Sequence, residues 1–398
     1  MKKRKNYGRK IKKKKINLYP KKKTKAQKII NTVLTLILLL GIGFLGFCLG
    51  KPIIEYIEKN KGKSNEPVWT PPAQTTEAAE TLPDTTTAPS SESQPQTTVK
   101  EEMAVAAGNY YSAPVPSSAL SNTASLAAFG AKASAEGYNA VTVQLKNNSG
   151  FIKYASEIEI LQGTEAVTGT LSAKEIAFIL KEKGLAPIAV VSVLSDNEGC
   201  IINPDISYKV IDEADMSWLD YTGEAPVRWA NPENSATAEY NRAIVEELLA
   251  SGFSEVILTN VVYPDFQEYD RRYISAKYFE ADRYKHLNNV VFDGTAVEVN
   301  ASDIISGQFT RTAEVLKNKS VLSDNKIIVR IERNAFSAED GYPADASALL
   351  EDIMTRISLK TTGLKLSPMV MTADFTPEEV SAMKEKAEKM GFEDFYLS

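Results

Sequence analysis

Histidine, cysteine and tryptophan are scarce in this chain of 398 residues: one histidine (His286), two cysteines (Cys48 and Cys200) and three tryptophans. A single histidine excludes a His-rich zinc centre and argues against a Ser-His-Asp triad, because both need imidazoles in defined roles. Cys48 lies in an apolar stretch, so the chain beyond it holds one cysteine and no internal disulfide, and its core must stabilise it. Phosphate-binding loops and dinucleotide fingerprints are also missing; Gly150 and Gly163 stand alone as turn residues, and no cofactor is expected.

Acidic residues are rare at the start. Residues 1–63 contain only Glu55 and Glu58 against 19 lysines and arginines. Beyond residue 63 the balance reverses to 49 acidic against 27 basic side chains, a net charge of about −22 that the overall −5 conceals. A body this acidic argues against nucleic acid as a partner.

Charge is absent altogether from Ile29 to Gly50. A helix of that length spans about 33 Å, enough for a hydrocarbon core of roughly 30 Å. Residues 29–50 are therefore expected to form a transmembrane helix. The basic tail, residues 1–28, places its N-terminal side in the cytoplasm next to anionic lipid and the rest of the chain outside. No A-x-A pattern follows Gly50, which favours an uncleaved anchor over a signal peptide, and the bulky Phe47 before Cys48 speaks against lipidation. Residues 51–100 read as an extracellular linker; from Ser64 onward they are rich in Thr, Pro, Ser and Glu and too poor in large apolar residues to fold.

Residues 101–398 carry a globular pattern in which helical and strand periodicities alternate. Expected helices at 126–136, 173–183, 236–251, 305–317, 346–357 and 377–390 separate expected strands at 103–107, 140–145, 187–194, 255–262, 327–331, 364–371 and 394–397. Seven strands of this kind, with an eighth at 289–292 or 296–299, predict parallel strands joined by helical crossovers, a TIM-type (β/α)8-like barrel. Tyr269 to Tyr284 reads as a partly exposed helix within a long excursion.

Several stretches in this region resemble one family. N-A-V-V-I-D-V-K-D-D-S-G is similar to Asn139–Gly150, and I-A-R-I-V-x-F-x-D to Ile188–Asp196. W-x-D…W-x-N-P resembles Trp218, Asp220, Trp229, Asn231 and Pro232, and Y-N-x-x-I-x-x-E resembles Tyr240, Asn241, Ile244 and Glu247. G-F-D-E-I-Q-F-D-Y-I-R-F-P looks like Gly252–Pro264, and I-S-P-M-V-Y looks like Leu366–Met371. These motifs, in this order, resemble the glycoside hydrolase-like domain of bacterial TIM-barrel proteins, a group related to the α-amylase-like barrels. The resemblance covers residues 103–398 and implies a barrel that acts on polysaccharide.

The departures from that pattern fall on charged positions. The resemblance puts Asp where Gln144 and Thr259 stand, a D-D pair at Asn147 and Asn148, and Arg at Val190 and Val262. Glycoside hydrolysis needs two carboxylates, and an amide cannot transfer their proton at neutral pH. The remaining acids near expected strand ends are Glu332, Asp196, Asp220 and Asp265, the candidate catalytic residues. Period-two alternation points Gln144 and Lys146 into the mouth as candidate substrate contacts. Asn260 at a strand end and the rings of Trp218, Trp229 and Tyr263 join them, since sugar C–H faces stack on aromatic rings. Glu255 opens its strand at the stability end of the barrel, where packing is its expected role. Two functions follow: hydrolysis of a cell-envelope polysaccharide such as peptidoglycan, or of an environmental one; and glycan binding or scaffolding by a barrel that has lost catalysis.

Overall fold

The computed structural model describes residues 108–307, 309–320 and 322–398. Eight strands close a barrel: β1 (Tyr111–Pro114), β2 (Ala140–Lys146), β3 (Ala186–Ser192), β6 (Glu255–Thr259), β7 (Thr295–Asn300), β8 (Lys326–Ile331), β9 (Lys365–Val370) and β10 (Phe395–Leu397). Every neighbouring pair is parallel, as the alternation of periodicities predicts. A two-stranded antiparallel ribbon, β4 (Lys209–Val210) and β5 (Glu213–Ser217), projects between β3 and β6.

The crossovers use seven α-helices among the described residues: α1 (Thr123–Ala135), α2 (Ala173–Lys181), α3 (Asn197–Ile202), α4 (Ser235–Ala250), α5 (Ala301–Ile305), α6 (Ala346–Lys360) and α7 (Pro377–Lys389). Their starts are written in the sequence. Ser172 with Glu175 and Thr376 with Glu379 form reciprocal capping boxes that satisfy orphan N–H groups at α2 and α7. Leu349, Leu350, Ile353 and Ile357 give α6 a buried stripe at helical spacing.

Two expected helices are overturned, one alternative is resolved, and several expectations lie outside the described residues. The eighth strand is Thr295–Asn300, the second of the two alternatives. The strand expected at 103–107 and the transmembrane helix expected at 29–50 lie outside the described residues, as do the tail and linker; Tyr111–Pro114 fills the barrel position between β2 and β10. The helix expected at 305–317 is replaced by α5 and a 3-10 turn (Arg311–Asn318), because Phe309 and Arg311 take left-handed backbone angles (φ 46° and 48°). Short 3-10 turns replace the helix expected at 269–284. Among the described residues no helix is long and apolar enough to cross a membrane.

Side chains inside the barrel are layered. Lys326 pairs with Glu255 (2.8 Å) and Asp394 (2.6 Å) at the amino ends of the strands, which gives Glu255 the structural role expected of it. Above this lies an apolar layer that includes Ala186, Ile188, Ile257, Ala296, Ile328 and Met369. The carboxyl ends of the strands are polar. At this end the Y-N-x-x-I-x-x-E residues of α4 act as a scaffold. Glu247 accepts from the Tyr154 hydroxyl (2.6 Å), the Ser156 hydroxyl (2.8 Å) and the Glu157 N–H (2.5 Å), fastening the loop that follows β2. Three donors converge on one partly buried carboxylate. Glu247→Ala is expected to lower the unfolding free energy by about 2–3 kcal/mol, read as a lower urea midpoint with unchanged slope.

Candidate functional site at the carboxyl end of the barrel

Alternation along β7 and β8 turns Ala296, Glu298 and Asn300, and Ile328 and Arg330, into the barrel. Arg330 stands between two carboxylates. Its Nη1 lies 3.4 Å from a Glu298 oxygen and its Nη2 lies 2.9 Å from a Glu332 oxygen. One guanidinium spanning both keeps their oxygens within about 9 Å of each other, which does not exceed the upper end of about 9.5 Å for glycosidase carboxylate pairs. The two environments differ. Glu298 is 12% exposed and Glu332 34%. Burial pushes the Glu298 carboxyl above the ordinary glutamate range; Arg330 opposes the shift and the charge of Glu332 adds to it.

A cleft of about 390 Å³ opens at the same end of the barrel, and neither glutamate is among its lining residues. Five residues singled out in the sequence line it together: Asp220, Trp229, Asn260, Tyr263 and Asp265. The structure adds Asn300 at the end of β7, Asp303 in α5, and Arg311 and Thr312 in the 3-10 turn that follows. Asn300 links cleft and carboxylates, because it is the register partner of Arg330. Asn260 takes a left-handed conformation (φ 53°), and its amide donates to Asn148 Oδ1 and Ser192 Oγ, both at 3.0 Å. Strained backbone of this kind collects at functional sites. Asp303 accepts from the N–H and hydroxyl of Thr312, which folds the β7 loop over the cleft.

Three of the sequence-derived candidates have other surroundings. Asp196 and Lys146 are fully enclosed and paired with each other at 2.5 Å. Lys146 also donates to Asn241 (3.2 Å) and lies over the Tyr240 ring, while Asp196 caps α3 by accepting from Gly199 N–H. The cause is a bulge: Gln144 aligns with Val190, but Lys146 aligns with Val191, so two residues of β2 answer one step of β3. That extra residue re-aims Lys146 from the mouth into the helix layer. Neither Lys146 nor Asp196 can touch a sugar from there. Trp218 is also a correction: it is 4% exposed, packs against Tyr208 and Phe266, and donates through Nε1 to Asp270 (3.1 Å).

The other positions vary in how free they are. Both oxygens of Asp220 are committed, one to Thr222 N–H and hydroxyl and the other to Trp229 Nε1, so Asp220 orients that ring. Gln144 and Asp265 are exposed, and Tyr263 is buried with its hydroxyl on the Arg283 carbonyl. Glu298, Asn300 and Arg330 were not among the sequence candidates. Their signal was the alternation in Thr295–Asn300 and Lys326–Ile331, readable once both segments are assigned as barrel strands.

The parallel barrel and the acids at its carboxyl ends define a glycoside hydrolase-like (β/α)8 protein. Residues 115–322 match the family described as "Putative glycosyl hydrolase domain", and the chain belongs to that family. No curated protein matches the sequence. Similar solved structures include the PgaB (BpsB) glycoside hydrolase domain from Bordetella bronchiseptica (11% identity, TM-score 0.49, 73% of this chain and 93% of that one). Others are a hypothetical protein from Ruminiclostridium thermocellum (16%, 0.39, 46% and 94%) and the glycoside hydrolase domain of PelA from Pseudomonas aeruginosa (14%, 0.34, 72% and 91%). At these identities the likeness is one of fold.

Lys146→Met would leave Asp196 as a lone enclosed charge, and is expected to cost about 3–5 kcal/mol in denaturant unfolding. The double substitution Lys146→Met/Asp196→Leu should recover most of that loss, apart from about 1 kcal/mol for the missing helix cap.

Proposed function

We propose that the barrel hydrolyses a polysaccharide, with Glu298 as general acid and Glu332 as nucleophile or general base. The observation that carries this reading is the pair of unequal glutamates on adjacent strands, held by one guanidinium at the mouth of a barrel of this family. Glu298 would give its proton to the departing glycosidic oxygen. Glu332 would attack the anomeric carbon, or take a proton from the attacking water, while the bond to the leaving oxygen breaks. Trp229 would supply ring surface, and Asn260 and Asn300 amides for sugar hydroxyls.

A second reading has its own support. Gln144 and Thr259 stand where the family resemblance puts aspartates, and a barrel so altered would hold a glycan without cutting it. The deciding experiment is product release from a polysaccharide panel that includes peptidoglycan, using the purified full chain. Glu298→Gln and Glu332→Gln are each expected to lower turnover by about 10²-fold or more. A raised carboxyl keeps its proton to higher pH, so activity should fall as pH rises through the Glu298 value, with that alkaline limb above the ordinary glutamate range and missing in Glu298→Gln. Full activity in both variants would sink the hydrolytic assignment. Retention on a glycan with no release from any substrate would establish the binding reading.

The reading includes a location. Residues 29–50 would anchor the chain, residues 1–28 would lie against anionic lipid on the cytoplasmic side, and residues 51–100 would tether the barrel outside the membrane. Protease added to intact cells is expected to release the barrel and leave the basic tail protected. Protection of both would place the barrel inside.

A further inference from the structure

Ten large apolar side chains are exposed among the described residues, and five of them sit on the two excursions flanking the cleft: Ile211, Met216, Tyr221, Tyr269 and Tyr273. Exposed apolar surface gathered in one region marks an interaction site. These residues share a rigid base. Tyr208, Trp218 and Phe266 pack beneath them with ring centroids 5.1–6.1 Å apart, and Trp218 is fastened to Asp270. Backbone bonding joins the two excursions directly, since Ile211 N–H donates to the Tyr273 carbonyl at 2.7 Å.

The surface continues the cleft. Tyr221 lies between Asp220 and Thr222, both cleft-lining residues. Tyr269 stands on the excursion that leaves the cleft at Asp265, next to Asp270, which holds the Trp218 ring at 3.1 Å. Half-exposed tyrosines, 49–63% open to solvent, present flat apolar faces together with a hydroxyl. A polyhydroxylated ring with an apolar C–H face fits them; a lipid chain does not need the hydroxyls. Charge narrows the ligand further. The ribbon beside the tyrosines carries exposed Asp212, Glu213 and Asp215; Arg271 is paired with Glu268 (3.0 Å), so these three acids outweigh exposed Arg272 and disfavour phosphate, uronate and anionic lipid headgroups.

We propose that Tyr221, Tyr269 and Tyr273 extend the cleft into a track that holds a polysaccharide chain without negative charge over several sugar units. The inference rests on the cleft being a sugar site, but not on its being catalytic. It makes the preferred substrate a polymer and not a disaccharide.

The test uses the purified full chain, β-linked and α-linked oligosaccharides from two to six units, insoluble neutral polysaccharides and an acidic polyuronate. Affinity should rise at least 10-fold from the dimer to the hexamer of the recognised sugar. Tyr221→Ala/Tyr269→Ala/Tyr273→Ala should abolish that rise and release the protein from the polymer, whereas the corresponding Tyr→Phe triple should keep most of it. The polyuronate should be ignored by the parent and captured better by Asp212→Asn/Glu213→Gln/Asp215→Asn. A length dependence that survives in the alanine triple overturns the proposal, and so does polyuronate capture by the parent as strong as that of any neutral polymer. Concentration-dependent self-association lost in the alanine triple, with polymer retention intact, would also overturn it and make the patch an interface between copies. Absence of hydrolysis with the length dependence present would remove the acid–base assignment and leave the track standing.

Discussion

A lysine ammonium and an aspartate carboxylate, both closed off from water, fix one side of the barrel mouth. Taking Lys146 and Asp196 out of solvent costs several kcal/mol per ion, and their 2.5 Å contact and three neighbours offset part of that cost. Asn241 accepts from the lysine, the Tyr240 ring faces it, and Gly199 N–H donates to the aspartate. The end of β2, the first turn of α3 and the middle of α4 are thereby tied at one point. Two glycines follow from it. A Cβ at Gly150 or Gly199 would fall on the Asp196 carboxylate, so only a residue without a side chain fits at either place. The loops that carry Trp229 and Asn148 start from this frame.

Charge is distributed along the barrel axis in a way that burial explains. Lys326 with two acids closes the amino end, an apolar layer fills the middle, and Arg330 with two acids occupies the carboxyl end. Each set has one cation for two carboxylates, and in each desolvation raises a glutamate: Glu255 below and Glu298 above. The difference lies in access. Glu255 is 9% exposed and its partners close over it, whereas Glu332 is 34% exposed. Similar electrostatics therefore gives a structural plug at one end and a candidate site at the other.

Most of the scaffold was legible in the sequence because its signals are local. Ser172–Glu175 and Thr376–Glu379 announce helix starts, and β-branched runs ending in turn residues announce β3, β6 and β8. What escaped depends on partners distant in the chain. β1 is four residues long with Ser112 and Pro114 in it, and becomes a strand only because β2 and β10 flank it. The bulge at Lys146 is a property of register against β3, so period-two counting on β2 alone aimed the side chain at the wrong layer. Trp218 was ambiguous for the same reason: a loop aromatic is core or platform according to what lies opposite, here Tyr208 and Phe266. Asp220, Trp229, Asn260, Tyr263 and Asp265 did converge on one cleft, because all of them follow carboxyl ends of barrel strands, where the topology gathers loops.

The same topology explains how a barrel can lose acids on β2 and β6 and keep a carboxylate pair. Strand ends around a closed mouth all face one space, so what matters to a bound sugar is the separation of two carboxyl groups and the difference between their environments. Gln144 and Thr259 add no charge at the mouth, which leaves Glu298, Glu332 and Arg330 as a set with one charge in excess. Burial raises the Glu298 carboxyl, and its contact to the guanidinium, 3.4 Å, is longer than the 2.9 Å contact of Glu332. Burial sets Glu298 apart from the more exposed Glu332, and inequality is what the proposed reaction requires of them.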